Sequence, residues 1–195
     1  MIRTRIAPQA LIALLAATGV ASVCADGPLT PGAHAPHFVG HTADGKALNL
    51  ASTRGRVTLL SFFVTTYKDE VEHIRMVEGL RERYERRGLS VLSVALDSGG
   101  ADPVRAFVRD RNVRHPVFLD PEHRIAALFG VRAAPALYLL DPKGAVVRYQ
   151  EGFMAGDESV LAAAIEGLID RDLGPGDHPD EGLCHCYAPV TRAGP

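Results

Sequence analysis

The scarcest chemistry in this sequence is sulfur. Its 195 residues include three cysteines, Cys24, Cys184 and Cys186, and the long interval between the first and the second has none. That interval has no thiolate nucleophile and no internal disulfide. Tryptophan is absent, and arginine far outnumbers lysine, a matter of composition and not of mechanism. Neither sign of charge is in excess. A net charge of −2 gives no global attraction to nucleic acid or to an anionic membrane. The stretch Ala10–Ala21 is too short to cross a bilayer comfortably, and no internal repeat is found. What is present, 47% hydrophobic and 23% charged residues, is the composition of a globular chain. The length suits one domain with extensions.

The first extension reads as a targeting segment. Arg3 and Arg5 form a positive n-region, Ala10–Ala21 an apolar core, and Val23-Cys24-Ala25 a small-residue cleavage site before Asp26. Residues 1–25 are therefore expected to be a signal peptide, and the mature chain to be exported to a bacterial periplasm without Cys24. The alternatives are an uncleaved anchor or a lipidated Cys24, the only routes to membrane contact. Val23 fits a lipidation site poorly. Cleavage leaves Cys184 and Cys186 in an oxidising compartment.

After a Pro/Gly-rich lead-in, Asp44-Gly45 followed by alternating apolar residues predicts a small hairpin. Val57–Val64 and Leu89–Leu96 are continuous apolar runs and predict buried strands. Between them Val71, Ile74, Val77, Leu80 and Tyr84 form one stripe of a helix from about Lys68 to Arg87, ended by Gly88. Asp102-Pro103 predicts an N-cap and first helical position. A short strand at "HPVFLD" follows, then a helix over Pro121–Phe129 closed by Gly130. Ala136–Asp141 and Ala145–Gln150 predict a hairpin, and Asp157 a cap for the final helix. Residues 26–172 thus predict an α/β domain with a partly parallel sheet. Residues 173–195 are Gly/Pro-rich and read as a flexible tail.

Three stretches carry a family resemblance: "PGAHAPHF", "DGKALNLASTRGRVTLLSFF" and "FGVRAAPALYLLDPKG". Together they resemble the thioredoxin superfamily, in particular the TlpA/ResA-type periplasmic thioredoxins and their AhpC/TSA-redoxin-like cousins, over about residues 31–172. The resemblance implies a thioredoxin-like three-layer fold, a central mixed sheet with helices on both faces. It implies a cis Ala134–Pro135 bond facing the start of the first long helix, where thioredoxins pair the backbone with an extended substrate peptide. The family's Cys-x-x-Cys positions fall here on Tyr67 and Glu70, so its thiol chemistry does not transfer to this junction. Sco-type copper-delivering relatives place a histidine just upstream of the following strand, and "VRAAPA" has none.

At that junction Thr66 and Asp69 form a Thr-x-x-Asp pattern like a capping box, and Asp69 and Glu70 bring carboxylates to a helix N-terminus. Their expected role is structural. Tyr67 reads either as a flat contact for a peptide or as a plug in the old site. Tyr67, Ala134 and Pro135 are the candidate surface for an envelope protein or peptide. His34, His37, His41, His73, His115 and His123 make no helical i, i+4 metal pair and read as scattered surface residues.

The remaining chemistry lies in the tail. Cys184 and Cys186, two residues apart, would form a strained, exchangeable disulfide, with His185 able to stabilise a thiolate. The same Cys184, His185 and Cys186, with His178, suit copper or zinc. Three functions remain open: thiol–disulfide exchange through the tail, envelope metal handling by it, or a non-catalytic binding or chaperone-like module.

Overall fold

The computed structural model describes residues 27–66, 70–154 and 156–172. The segment expected to be a signal peptide, Tyr67, Lys68, Asp69 and the tail with His178, Cys184, His185 and Cys186 lie outside the described residues.

The Asp44-Gly45 turn joins β1 (Val39–His41) to β2 (Ala47–Asn49) in antiparallel register. Gly45 sits at φ +85°, a conformation that costs glycine nothing. β3 (Val57–Phe63) is buried at every position, including the two polar residues, Thr58 and Ser61, in its largely apolar run. α1 (Glu70–Tyr84) continues through a 3-10 turn to Arg87, and Gly88 closes it at φ +108°. β4 (Leu89–Ala95), α2 (Ala101–Asp110), β5 (Val117–Leu119), α3 (Arg124–Phe129), β6 (Ala136–Leu140), β7 (Val146–Glu151) and α4 (Asp157–Asp172) follow.

The main sheet has the order β5-β4-β3-β6-β7. β3, β4 and β5 are parallel, and β6 and β7 run antiparallel to their neighbours. This is the expected mixed sheet. On one face Leu60, Phe62, Leu92, Val94 and Tyr138 meet Phe38, Phe118 and Phe129 from the hairpin side, β5 and α3. On the other face two separate apolar clusters form. Val57, Leu59, Leu89, Val91, Leu137 and Leu139 meet Val77 and Leu80 of α1 and Leu161 and Ile165 of α4. Nearer the far end of the strands, Phe63 and Ala95 meet Ile74, Val104 and Val117.

Three local expectations need correction. α2 begins at Ala101 behind Gly100, at φ +89°, so Asp102 is helical and Pro103 sits at the third position. Proline fits there because the first-turn N–H groups have no intrahelical acceptor. α3 begins at Arg124 instead of Pro121. The Asp120 carboxylate accepts from the N–H groups of Arg124 (2.8 Å) and Ala126 (2.9 Å), which fixes the start there. Asp157 opens α4, but its carboxylate reaches backwards, accepting from Met154 N–H (2.6 Å) and Gln150 Nε2 (2.5 Å). It anchors the β7–α4 loop.

The lead-in is held across the hairpin-side face. The Tyr138 hydroxyl donates to the Phe129 carbonyl (2.6 Å) and accepts the Leu29 N–H (3.0 Å). Gly130, at φ +66°, lies so close that a Cβ there would sit 1.8 Å from the Gly27 carbonyl oxygen.

Candidate functional site beside the start of α1

The carboxyl ends of β3 and β4 and the start of β6 converge at one end of the sheet. Such ends are where open α/β sheets place ligands. Ala136 pairs opposite Phe62, which sets Pro135 beside the end of β3. The Ala134–Pro135 bond is cis, and both residues are half-buried. The Pro135 carbonyl accepts the Gly152 N–H (2.8 Å), tying this turn to the β7–α4 loop.

The turn leaving β3 is clamped from the loop that follows β4. The carboxylate of Asp97 accepts the Thr65 N–H (3.1 Å to each oxygen) and the Thr65 hydroxyl (2.6 Å). Glu70 is wholly buried in the first turn of α1, and its carboxylate accepts the Val64 N–H (3.4 Å). Thr66 is exposed. A helix tip can stabilise a thiolate where a cysteine stands there. Here a buried carboxylate occupies the first turn, and Ala134, Pro135 and Glu70 share one end of the sheet.

Beneath this end lies a polar seam that sequence reasoning missed. Ser61 and Ser93 are register partners on β3 and β4 and interrupt the apolar face between its two clusters. The Ser61 hydroxyl is 2.8 Å from His73 Nε2, and the Ser93 hydroxyl is 2.8 Å from His115 Nε2. His115 Nδ1 lies 2.6 Å from Glu78 Oε2. Glu78 also accepts from Arg81 Nε (2.5 Å) and from the Arg114 N–H (3.3 Å). The expectation of surface histidines therefore fails at two positions: His73 is 0% exposed and His115 5%. Each is seated by a buried serine of a largely apolar strand. His34, His37, His41 and His123 are exposed. A signal was present in the sequence. His73 stands four and seven residues before Val77 and Leu80, on the stripe assigned to the core.

Charge on the seam follows from burial and pairing. Burial pushes His73 down from 6.5 to about 4; the charge of Asp157 opposes this and that of His115 adds to it. Burial alone would push the Glu78 carboxyl up. The hydrogen bond and charge of His115, with the bonds from Arg81 and the Arg114 N–H, outweigh it and bring Glu78 down to about 2. The Ser93–His115–Glu78 order has the geometry of an acyl-transfer triad, but Ser93 is 0% exposed, so no substrate carbonyl reaches it. Its role is structural. Among the described residues no group of three His, Cys, Asp or Glu side chains is placed to hold a metal ion.

The sheet order, the half-buried Ala134–Pro135 turn and the helix that starts beside it define a thioredoxin-like α/β protein. Solved structures agree on the fold. A putative thiol:disulfide interchange protein DsbE from Chlorobium tepidum superposes with a TM-score of 0.69, at 24% identity, over 72% of this chain and 99% of that one. The sequence profile of the AhpC/TSA family matches residues 31–149, and the chain belongs to that family, on its TlpA/ResA-like side within the thioredoxin superfamily. The thiol-disulfide oxidoreductase ResA of Bacillus anthracis is 30% identical over 117 residues, 60% of this chain and 66% of ResA. The thioredoxin-like protein YneN of Bacillus subtilis is 30% identical over 129 residues, 65% of this chain and 75% of YneN. The chain thus spans just under two thirds of the length of this ResA.

Proposed function

We propose that this is an exported thioredoxin-fold protein of the bacterial periplasm that docks an extended segment of an envelope protein along Ala134–Pro135 and Tyr67, and exchanges disulfides through Cys184 and Cys186. The observation that carries the reading is the pairing of two facts. The Pro135 turn, clamped to Gly152, presents a half-buried face beside the start of α1, while the sequence places every cysteine outside residues 27–172. A platform with no thiol of its own requires one from the tail or from the partner. Leu173–Leu183 can extend at most about 35 Å, enough to carry the pair back toward the platform.

The test is insulin reduction, with oxidation of a reduced peptide in parallel, by the mature full-length protein. Activity that disappears in Cys184→Ser supports exchange through the tail; background activity in the wild type ends that reading. A second reading, a binding module without redox chemistry, is favoured by the buried Glu70 carboxylate in the first turn of α1. It expects partners that are retained in Cys184→Ser and Cys186→Ser but lost in Tyr67→Ala or Pro135→Thr. The copper or zinc reading of Cys184, His185, Cys186 and His178 requires metal binding that vanishes when residues 174–195 are removed.

A further inference from the structure

His73 has the features of a latch. It is wholly buried, one turn below Glu70, at the point where three elements meet. From β3 the Ser61 hydroxyl holds its Nε2 at 2.8 Å. From the β7–α4 loop Phe153 stands edge-on to the imidazole, with ring centroids 5.9 Å apart. Its Nδ1 is buried and has no hydrogen-bond partner. The same loop reaches the candidate site through one more contact, the Gly152 N–H on the Pro135 carbonyl. A continuous chain of contacts therefore runs Ser61, His73, Phe153, Gly152, Pro135.

An imidazolium in this place would carry two N–H donors and a full charge. Only one of its nitrogens faces an acceptor, and burying the other uncompensated is costly. The charged groups around it do not cancel that cost. Asp157 at the start of α4 favours the protonated form, and His115, reached across the seam from β5's leading edge, disfavours it. Asp157 is already engaged by Met154 N–H and Gln150 Nε2. Glu70, on α1 itself, is engaged by the Val64 N–H. Glu78 on α1 serves His115 and Arg81.

We propose that His73 is a pH-sensitive latch: neutral, it seats the first turns of α1 and the β7–α4 loop on the sheet, and protonated, it releases them together with the Pro135 face. The link to partner binding rests on the platform role proposed for Pro135; the latch itself does not. Acid favours the open arrangement because only there does the imidazole bind its proton at its ordinary affinity. Below pH 6.5 each pH unit raises the open-to-closed ratio up to tenfold, until the closed form also protonates near pH 4. From pH 7.5 to pH 4.5 the ratio should rise roughly 10- to 100-fold.

The experiment is hydrogen–deuterium exchange by mass spectrometry on the mature full-length protein at both pH values, with rates corrected for the intrinsic pH dependence of exchange. Peptides covering residues 70–77 and 150–157 should lose protection 10- to 100-fold at pH 4.5 and exchange well before β4 peptides, which open only on global unfolding. His73→Gln, which retains an acceptor for Ser61 and cannot titrate, should abolish the difference. Equal protection at both pH values in the wild type overturns the latch, as does an unchanged loss in His73→Gln. Should that variant fail to fold, the ring-proton titration of His73 in the wild type decides: a midpoint at or above 6.5 is equally fatal. Binding of a cysteine-free extended peptide is measured alongside. Opening without peptide binding at either pH would refute the platform and leave the latch standing.

Discussion

Replacing Glu78 with Gln tests the electrostatics of the seam at its other end. The carboxylate accepts from His115 Nδ1 (2.6 Å), Arg81 Nε (2.5 Å) and the Arg114 N–H (3.3 Å), and its side chain is 13% exposed. Its carboxyl titrates at about 2 in the folded protein against an ordinary 4.5. A depressed carboxyl stabilises the fold above its unfolded pKa, and that contribution is lost as pH falls from 4.5 toward 2. The full gap corresponds to about 3 kcal/mol; for a carboxylate that solvent still reaches, about 1–2 kcal/mol is the expected magnitude. His73 acts with the opposite chemistry in a higher window. Its folded pKa of about 4 lies below the unfolded 6.5, so it destabilises progressively as pH falls from 6.5 to 4 and adds nothing above. Urea unfolding at half-unit steps from pH 7.5 to 3 separates the two. Glu78→Gln should lower stability by about 1–2 kcal/mol at pH 7, keep the decline between 6.5 and 4.5, and flatten the curve below 4.5. A variant as stable as wild type at pH 7, with the same acid limb, would show that the seam's charges are solvated and that this reasoning is wrong.

Two further substitutions probe the lead-in. Tyr138→Phe removes a hydroxyl that serves the Phe129 carbonyl and the Leu29 N–H, and should cost about 0.5–1.5 kcal/mol in urea unfolding because these two groups keep only their long mutual bond (3.4 Å); a change below about 0.3 kcal/mol would mean water replaces the hydroxyl. Gly130→Ala forces a side chain to φ +66° and onto the Gly27 carbonyl. Limited proteolysis should then cut before Leu29 faster than in wild type, and equal rates would mean that the lead-in is not held there.

Much of the fold was legible because single residue types decide it. β3 and β4 are covered on both faces, so their runs are largely apolar with no polar face, and Gly88 and Gly130 end helices in the left-handed conformation that glycine adopts freely. Helix starts were harder. Asp120 caps from four residues before Arg124, and Gly100 displaces the cap expected at Asp102. Of the candidate site, Ala134 and Pro135 were legible through the family resemblance, and their placement beside β3 agrees with it. The clamp of Asp97 on Thr65 spans 32 residues, a distance over which no local pattern carries information.

The seam was hidden for a different reason, and that reason bears on how the site behaves. Ser61 and Ser93 each look like a tolerated small residue within an apolar strand. Only the parallel register that puts them side by side makes them a polar row. That row divides the helix-covered face of the sheet. The cluster under α4 and the later turns of α1 is the larger, whereas the one beside the candidate site rests on Ala43, Phe63, Ile74, Ala95, Val104 and Val117, with half-buried side chains of α2 and β5 against it. Apolar burial scales with area, so the smaller cluster holds its elements less strongly, and polar groups between the two prevent the larger from lending its cohesion. Local opening is cheapest where buried apolar contact is least. The first turn of α1 can therefore part from the sheet while its later turns stay seated, and the residue at the dividing line is His73.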